Sequence, residues 1–204
     1  MTNWNQLANK PTVDKTIKAL KANGIDAISV ESKAVAKKKV LDLIPKDAEV
    51  MTMSSVTLDT IGITDAINNS GNYDAVKPRL MAMNRETQGE EMNKFGAAPE
   101  YTVGSVHAVT TDGHVLIASN TGSQLPAYAY GAQKVAWVVG AQKIVRDVDE
   151  GMKRIYDYVL PLESERIRKV YGIPGSNVSK LLIVNKEVVA NRITIVFVNE
   201  KLGF

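Results

Sequence analysis

Helical and strand-like apolar patterns alternate over residues 12–71, and this alternation restricts the chain to few architectures. "TVDKTIKALKANGID" places Val13, Ile17 and Leu20 at helical spacing, with Gly24 positioned as a C-cap. "DAISVE" then reads as a short strand, "SKAVAKKKVLDLIP" as a helix ended by Pro45, and "AEVMTM" as a second strand. "SSVTLDTIGITDAINNSG" follows as one helix, capped by Ser54 or Ser55 and closed before Gly71. Successive β–α units favour a parallel sheet with helices on its faces.

Beyond residue 80 the pattern is less regular. "MAMNRETQGEEMNKFGAAPE" is polar and helical. "SVHAVTTDGHVLIAS" carries two apolar runs around Asp112-Gly113, the signature of a two-residue hairpin. "KVAWVVG" and "KIV" are strand-like, and "DVDEGMKRIYDYVLPLESERIRKVYG" is helical with a break expected near Pro161. "KLLIVN" and "RITIVFVNE" are too uniformly apolar for a sheet with one wet face, so both are expected inside the core. A chain of 204 residues without a linker or internal repeat fits one domain spanning 1–204.

Charge and composition narrow the function. The net charge is only +3, and the densest basic run, Lys37 to Lys39, lies on the polar side of a helix whose apolar side is Val35, Val40, Leu41 and Ile44. That is no nucleic-acid footprint. No stretch has the length of a membrane span or the apolar core of a signal peptide, so a cytoplasmic protein is expected. The chain has no cysteine, which excludes disulfides, a cysteine nucleophile and an iron–sulfur cluster held by this chain.

Two strand-to-helix turns are the candidate ligand sites. In "VMTMSSVTLDTIGI" the hydroxyls of Ser54, Ser55 and Thr57 accompany the free N–H groups of a helix start, which suits a phosphate or carboxylate; a plain N-cap is the alternative. "ASNTGSQLPAYAYGAQK" repeats the design: Gly122 permits the bend, Asn120, Thr121, Ser123 and Gln124 supply donors and acceptors, and Pro126 opens a helix. Placed in one parallel sheet, both turns would lie at strand carboxyl ends, where open α/β proteins bind ligands. Lys143, between two apolar runs, either contacts an anionic ligand or is an exposed turn lysine.

The histidines do not make a metal site. With a two-residue hairpin turn, His114 pairs with Thr111 and lies about 13 Å from His107, too far to share one ion. His107 is then either a satisfied core residue or a pocket-facing acid or base. Asp59, Asp65, Asp147, Asp149 and Glu150 fall at helix starts or on helix faces, where the dipole and solvent account for them. No carboxylate, serine or histidine is singled out as a catalytic residue.

The run from Gly104 to Gly172, with "SSVTLDTIGI", "SKLLIVNKE" and "VNEKLGF", resembles the lactate-utilisation (LUD) domain family in its stand-alone branch. The resemblance implies a three-layer α/β/α domain with a mostly parallel sheet, of the kind shared by ribose-5-phosphate isomerase, glucosamine-6-phosphate deaminase and CoA transferases. It also implies a role in oxidising L-lactate to pyruvate beside an iron–sulfur partner subunit, with no cofactor on this chain. The ligand would be a small anionic metabolite, and self-association into a homo-oligomer is compatible with it. A non-catalytic accessory subunit, with Tyr128 and Tyr130 as interface anchors, and a sugar-phosphate isomerase or CoA-transferase-like enzyme are the alternatives. Several relatives carry an arginine where this chain has Gln124, and glutamine cannot replace its charge.

Overall fold

The computed structural model describes residues 3–204. The first helix, α1 (Lys10–Ala22), is capped by Asn9, whose side chain accepts from the Thr12 N–H; Gly24, at φ +77°, then reverses the chain. Strand β1 (Asp26–Val30), helix α2 (Lys33–Asp42) and strand β2 (Glu49–Thr52) follow as the apolar pattern indicates. On α2, however, Ala36 and Val40 are buried, with Ile44 just beyond the helix, whereas Val35 is exposed. The segment after β2 forms two short helices, α3 (Val56–Ile61) and α4 (Ile63–Asn68), because Gly62 adopts φ +70° and breaks the helical path.

A two-residue strand β3 (Asp74–Ala75), helices α5 (Val76–Ala82) and α6 (Arg85–Ala97), and strand β4 (Tyr101–Gly104) lead to a hairpin of β5 (Ala108–Thr110) and β6 (Val115–Ser119). The hairpin pairs Val109 with Val115 and Ala108 with Leu116, so its loop holds three residues rather than two. The Thr110 hydroxyl accepts the His114 N–H at 2.8 Å, and Gly113 at φ +89° closes the turn. His114 therefore lies opposite Thr110, one position from the expected register. "LPAYAYG" folds as a short helix that widens into a π-turn over Ala127–Gly131.

Strand β7 (Lys134–Gly140), a 3₁₀ turn (Ala141–Lys143) and strand β8 (Ile144–Val145) precede α7 (Val148–Arg154), which Asp147 caps. Pro161 does not break the next helix. A π-helical stretch over Ile155–Val159, in which the Leu160 N–H bonds to Ile155 O, precedes it, and α8 (Leu160–Tyr171) continues with Pro161 in its first turn. Strands β9 (Lys180–Val184) and β10 (Ile193–Val198) complete the described fold.

Six strands form a fully parallel sheet in the order β1-β10-β7-β4-β2-β3. Its central strands are apolar on both faces, as a sheet covered on both sides requires. In β7, Val135, Trp137 and Val139 face one core and Ala136 and Val138 the other. Helices α2, α3 and α4 cover the second face and α1 the first, which gives a three-layer α/β/α arrangement.

A smaller mixed sheet, β8-β5-β6-β9, packs over the first face beside α1, with α7 on its outer side. Strand β10 has the central place its composition suggests. Strand β9 does not: it is an edge strand of the small sheet with partly exposed side chains. Trp137 of β7 packs edge-on against Tyr128 of the π-turn at 5.3 Å, a contact worth roughly 0.5–1.5 kcal/mol beyond burial that ties the turn to the parallel sheet.

Candidate functional site

The carboxyl end of β2 delivers Ser54, Ser55 and Thr57 to the start of α3, and the carboxyl end of β6 delivers residues 120–124 to the short helix before β7. The turns belong to different sheets, not to one parallel sheet as their sequences suggest. The fold nevertheless brings them to a single cavity of about 470 Å³. Ser54, Ser55, Thr57, Asn120, Ser123, Gln124 and Lys143 all line it, and Gly122 does not. A Cβ on Gly122 would stand 2.5 Å from Lys180 Cδ, so this glycine shapes the turn against β9.

Many of the expected ligand groups are engaged within the protein. Ser55 caps α3 by accepting the Leu58 N–H at 3.4 Å, and Ser54 accepts from Lys77 Nζ at 3.2 Å. Asn120 accepts from the Ser179 hydroxyl. Gln124 accepts from Ser119 Oγ at 2.9 Å and donates to Ala118 O at 3.3 Å, so its amide stitches the turn closed.

Lys143 is the centre of the site. It is 3 % exposed rather than a surface turn lysine. Its Nζ lies 3.1 Å from Val106 O, 3.1 Å from Ser105 Oγ and 3.2 Å from Thr57 Oγ1. Among the described residues no carboxylate comes within ion-pair distance of it. Burial, reinforced by the nearby Arg154 guanidinium, lowers its pKa to about 7.

His107 borders the same cavity. Its Nδ1 accepts the Ala118 N–H at 3.1 Å, which leaves the neutral ring's proton on Nε2. Burial, followed by the charges of Lys143 and Arg154, lowers its pKa to about 3. The ring is thus a neutral hydrogen-bond donor at physiological pH, not an acid–base group that changes charge there.

Arg154 is fully buried without an acidic partner among the described residues. One of its nitrogens donates to His107 O and its guanidinium faces the Tyr158 ring at 5.3 Å. Arg166, which lines the cavity, forms a bidentate pair with Glu163, both bonds 2.7 Å, which neutralises it. Lys77 is a further lining cation, its pKa lowered by burial and partly restored by Asp59.

Sequence reasoning did not place Ser105, His107, Lys77, Glu163 or Arg166 in the site. Only His107 had raised the question locally; the others are gathered by the packing of β4, α5 and α8. Two π-helical stretches border the cavity, one contributing Tyr128 and the other Ile155 and Val159. Tyr128 is buried and therefore unavailable as an interface anchor, while Tyr130 is 90 % exposed. Among the described residues no group of three His, Asp or Glu side chains is placed to hold a metal ion, and no helix is long and apolar enough to cross a membrane.

No match is found among the curated proteins. Among solved structures, the chain is similar to a DUF162 family protein from Deinococcus radiodurans, with 11% identity and a TM-score of 0.57, covering 95% of this chain and 100% of that one. That likeness supports the fold alone. The family model of the LUD domain matches residues 13–198, and the chain belongs to the LUD domain family.

Proposed function

We propose that this LUD-domain chain binds a small anionic metabolite, a carboxylate such as lactate or pyruvate, in the cavity between the 54–57 and 120–124 turns, and that it serves lactate utilisation. The observation that carries the reading is Lys143, a buried amine with three neutral oxygens around it and no carboxylate partner among the described residues. A buried cation without a counter-charge is costly, and an anion entering beside it offsets that cost.

The ligand carboxylate would be held by Lys143 from the cavity floor and by the Ser54 and Ser123 hydroxyls at the turns. His107 Nε2–H would donate to a hydroxyl or keto oxygen. The two electrons removed in oxidising lactate would pass to an iron–sulfur partner subunit, since this chain has no cysteine to hold such a cluster. Titration calorimetry with lactate, pyruvate and inorganic phosphate tests the binding. Saturable binding that Lys143→Met weakens by about 10- to 100-fold is expected; no binding of any of the three would refute it.

A further inference from the structure

The three oxygens around Lys143 fix where its lone pair points. Val106 O is a carbonyl and can only accept. The Thr57 hydroxyl hydrogen is committed to Leu202 O at 3.2 Å, so toward Lys143 its oxygen also accepts. A neutral amine has two N–H groups and one lone pair. The two N–H groups are therefore taken by Val106 and Thr57, and the lone pair faces the remaining partner, the Ser105 hydroxyl at 3.1 Å.

All three residues border the cavity, but Thr57 and Val106 are each 1 % exposed, whereas Ser105 keeps accessible surface. The lone pair is thus directed toward the cavity side and covered there by one serine hydroxyl. Burial and the adjacent Arg154 charge keep a substantial share of Lys143 unprotonated near neutral pH. The same cavity presents the Nε2–H of His107 and the cation Lys77.

We propose that Lys143 is a nucleophile that forms a Schiff base with a carbonyl compound carrying an anionic group, of which a 2-oxo acid is the smallest kind. The inference rests on the anion-binding reading and adds a covalent step to it. Lys143 Nζ attacks the carbonyl carbon, the C–N bond forms, and the carbonyl π pair moves to oxygen. That oxygen leaves as water with the two protons of the amine, giving C=N. Ser105, displaced from the lone pair, is placed to pass protons between nitrogen and oxygen, and His107 to donate to the carbonyl oxygen as charge develops on it. No oxidant or reductant is needed.

The test is reductive trapping on the intact protein. Pyruvate and cyanoborohydride are added at pH 7, and the modified lysine is located by peptide mass mapping. Hydride addition to C=N leaves the lysine heavier by pyruvate less one oxygen. Lys143 is expected to be labelled about tenfold faster than any other lysine, because its amine is buried beside the cavity and a substantial share of it is unprotonated at that pH. Excess lactate, which has the carboxylate but no carbonyl, is expected to suppress the label.

If pyruvate raises the melting temperature while Lys143 stays unlabelled, the Schiff base is refuted and anion binding survives. If there is neither label nor shift, both readings fail. Labelling spread evenly over surface lysines also overturns the inference.

Discussion

Lys143 Nζ and Thr57 Oγ1 lie 3.2 Å apart, though 86 positions separate them in the chain. The contact joins the start of α3, on one side of the parallel sheet, to the 3₁₀ turn that leads into the small sheet. Lys143→Met keeps an unbranched side chain as far as Cε and removes the charged amine. The fold is expected to lose little, because the relieved cost of burying the cation offsets the lost hydrogen bonds. Anion affinity is expected to fall by about 10- to 100-fold, the worth of one charge-assisted hydrogen bond. Thermal melts and titration calorimetry on the same samples separate the two effects.

Acidity gives a second, signed expectation. In the folded protein the Lys143 pKa is lowered to about 7 from 10.5. Between those values the unfolded chain holds a proton that the native state lacks, so the unliganded fold gains stability as pH rises through the window. Anion binding shows the opposite trend, weakening as pH rises through about 7. Denaturation curves of the wild type against Lys143→Met at pH 7 and pH 9.5 should show the wild type gaining on the variant at the higher pH.

How far the sequence foretells this site differs from residue to residue. The α/β alternation was legible because the core faces of β7 and β10 and the stripe on α1 are dictated by periodicity. The strand-to-helix turns at Ser55 and Ser123 were legible because caps and anion sites use the same small hydroxyl residues. The hairpin register was not, since a Thr110 hydroxyl bonding the His114 N–H selects the longer loop. Nor could local pattern reveal Arg166 and Glu163, which reach the cavity only because α8 runs on through Pro161. Gln124 shows a further limit: local pattern identifies an amide that can donate and accept, but not that its partners are Ser119 and Ala118 of the turn itself.

The Arg166–Glu163 pair offers a third test. Both side chains line the cavity, and Glu163 occupies the guanidinium through two bonds of 2.7 Å. Glu163→Gln removes the competing charge. It is expected to tighten anion binding by roughly 3- to 10-fold at low salt, an effect that fades as ionic strength rises. Unchanged affinity would place the ligand away from α8.

Gly104 sets how closely Tyr128 can approach the cavity. A Cβ at this position would lie 1.7 Å from Tyr128 Oη and 2.8 Å from Tyr128 Cζ. Gly104→Ala is expected to cost roughly 1–3 kcal/mol or more by overpacking, and to displace the ring that stacks on Trp137. Urea denaturation and the near-ultraviolet circular dichroism of the aromatic residues report both consequences.

His107 should behave as a fixed neutral donor. Its pKa is lowered from 6.5 to about 3, and its Nδ1 is held by the Ala118 N–H. Nitrogen-15 spectra of the imidazole ring should show the Nε2–H form unchanged from pH 5 to pH 8. Acidification from about pH 6.5 toward 3 is expected to remove stability, since the unfolded histidine then binds a proton that the native ring refuses.

Calorimetric titration of pyruvate into wild type and Lys143→Met at pH 6.5 and pH 8.5 tests Lys143 as the anion-binding group. Saturable binding to the wild type at pH 6.5, weaker binding with net proton uptake at pH 8.5, and affinity lower by about 10- to 100-fold in the variant are expected. Equal affinity in both proteins, or affinity that does not fall with pH, would contradict the assignment of Lys143 as the anion-binding group.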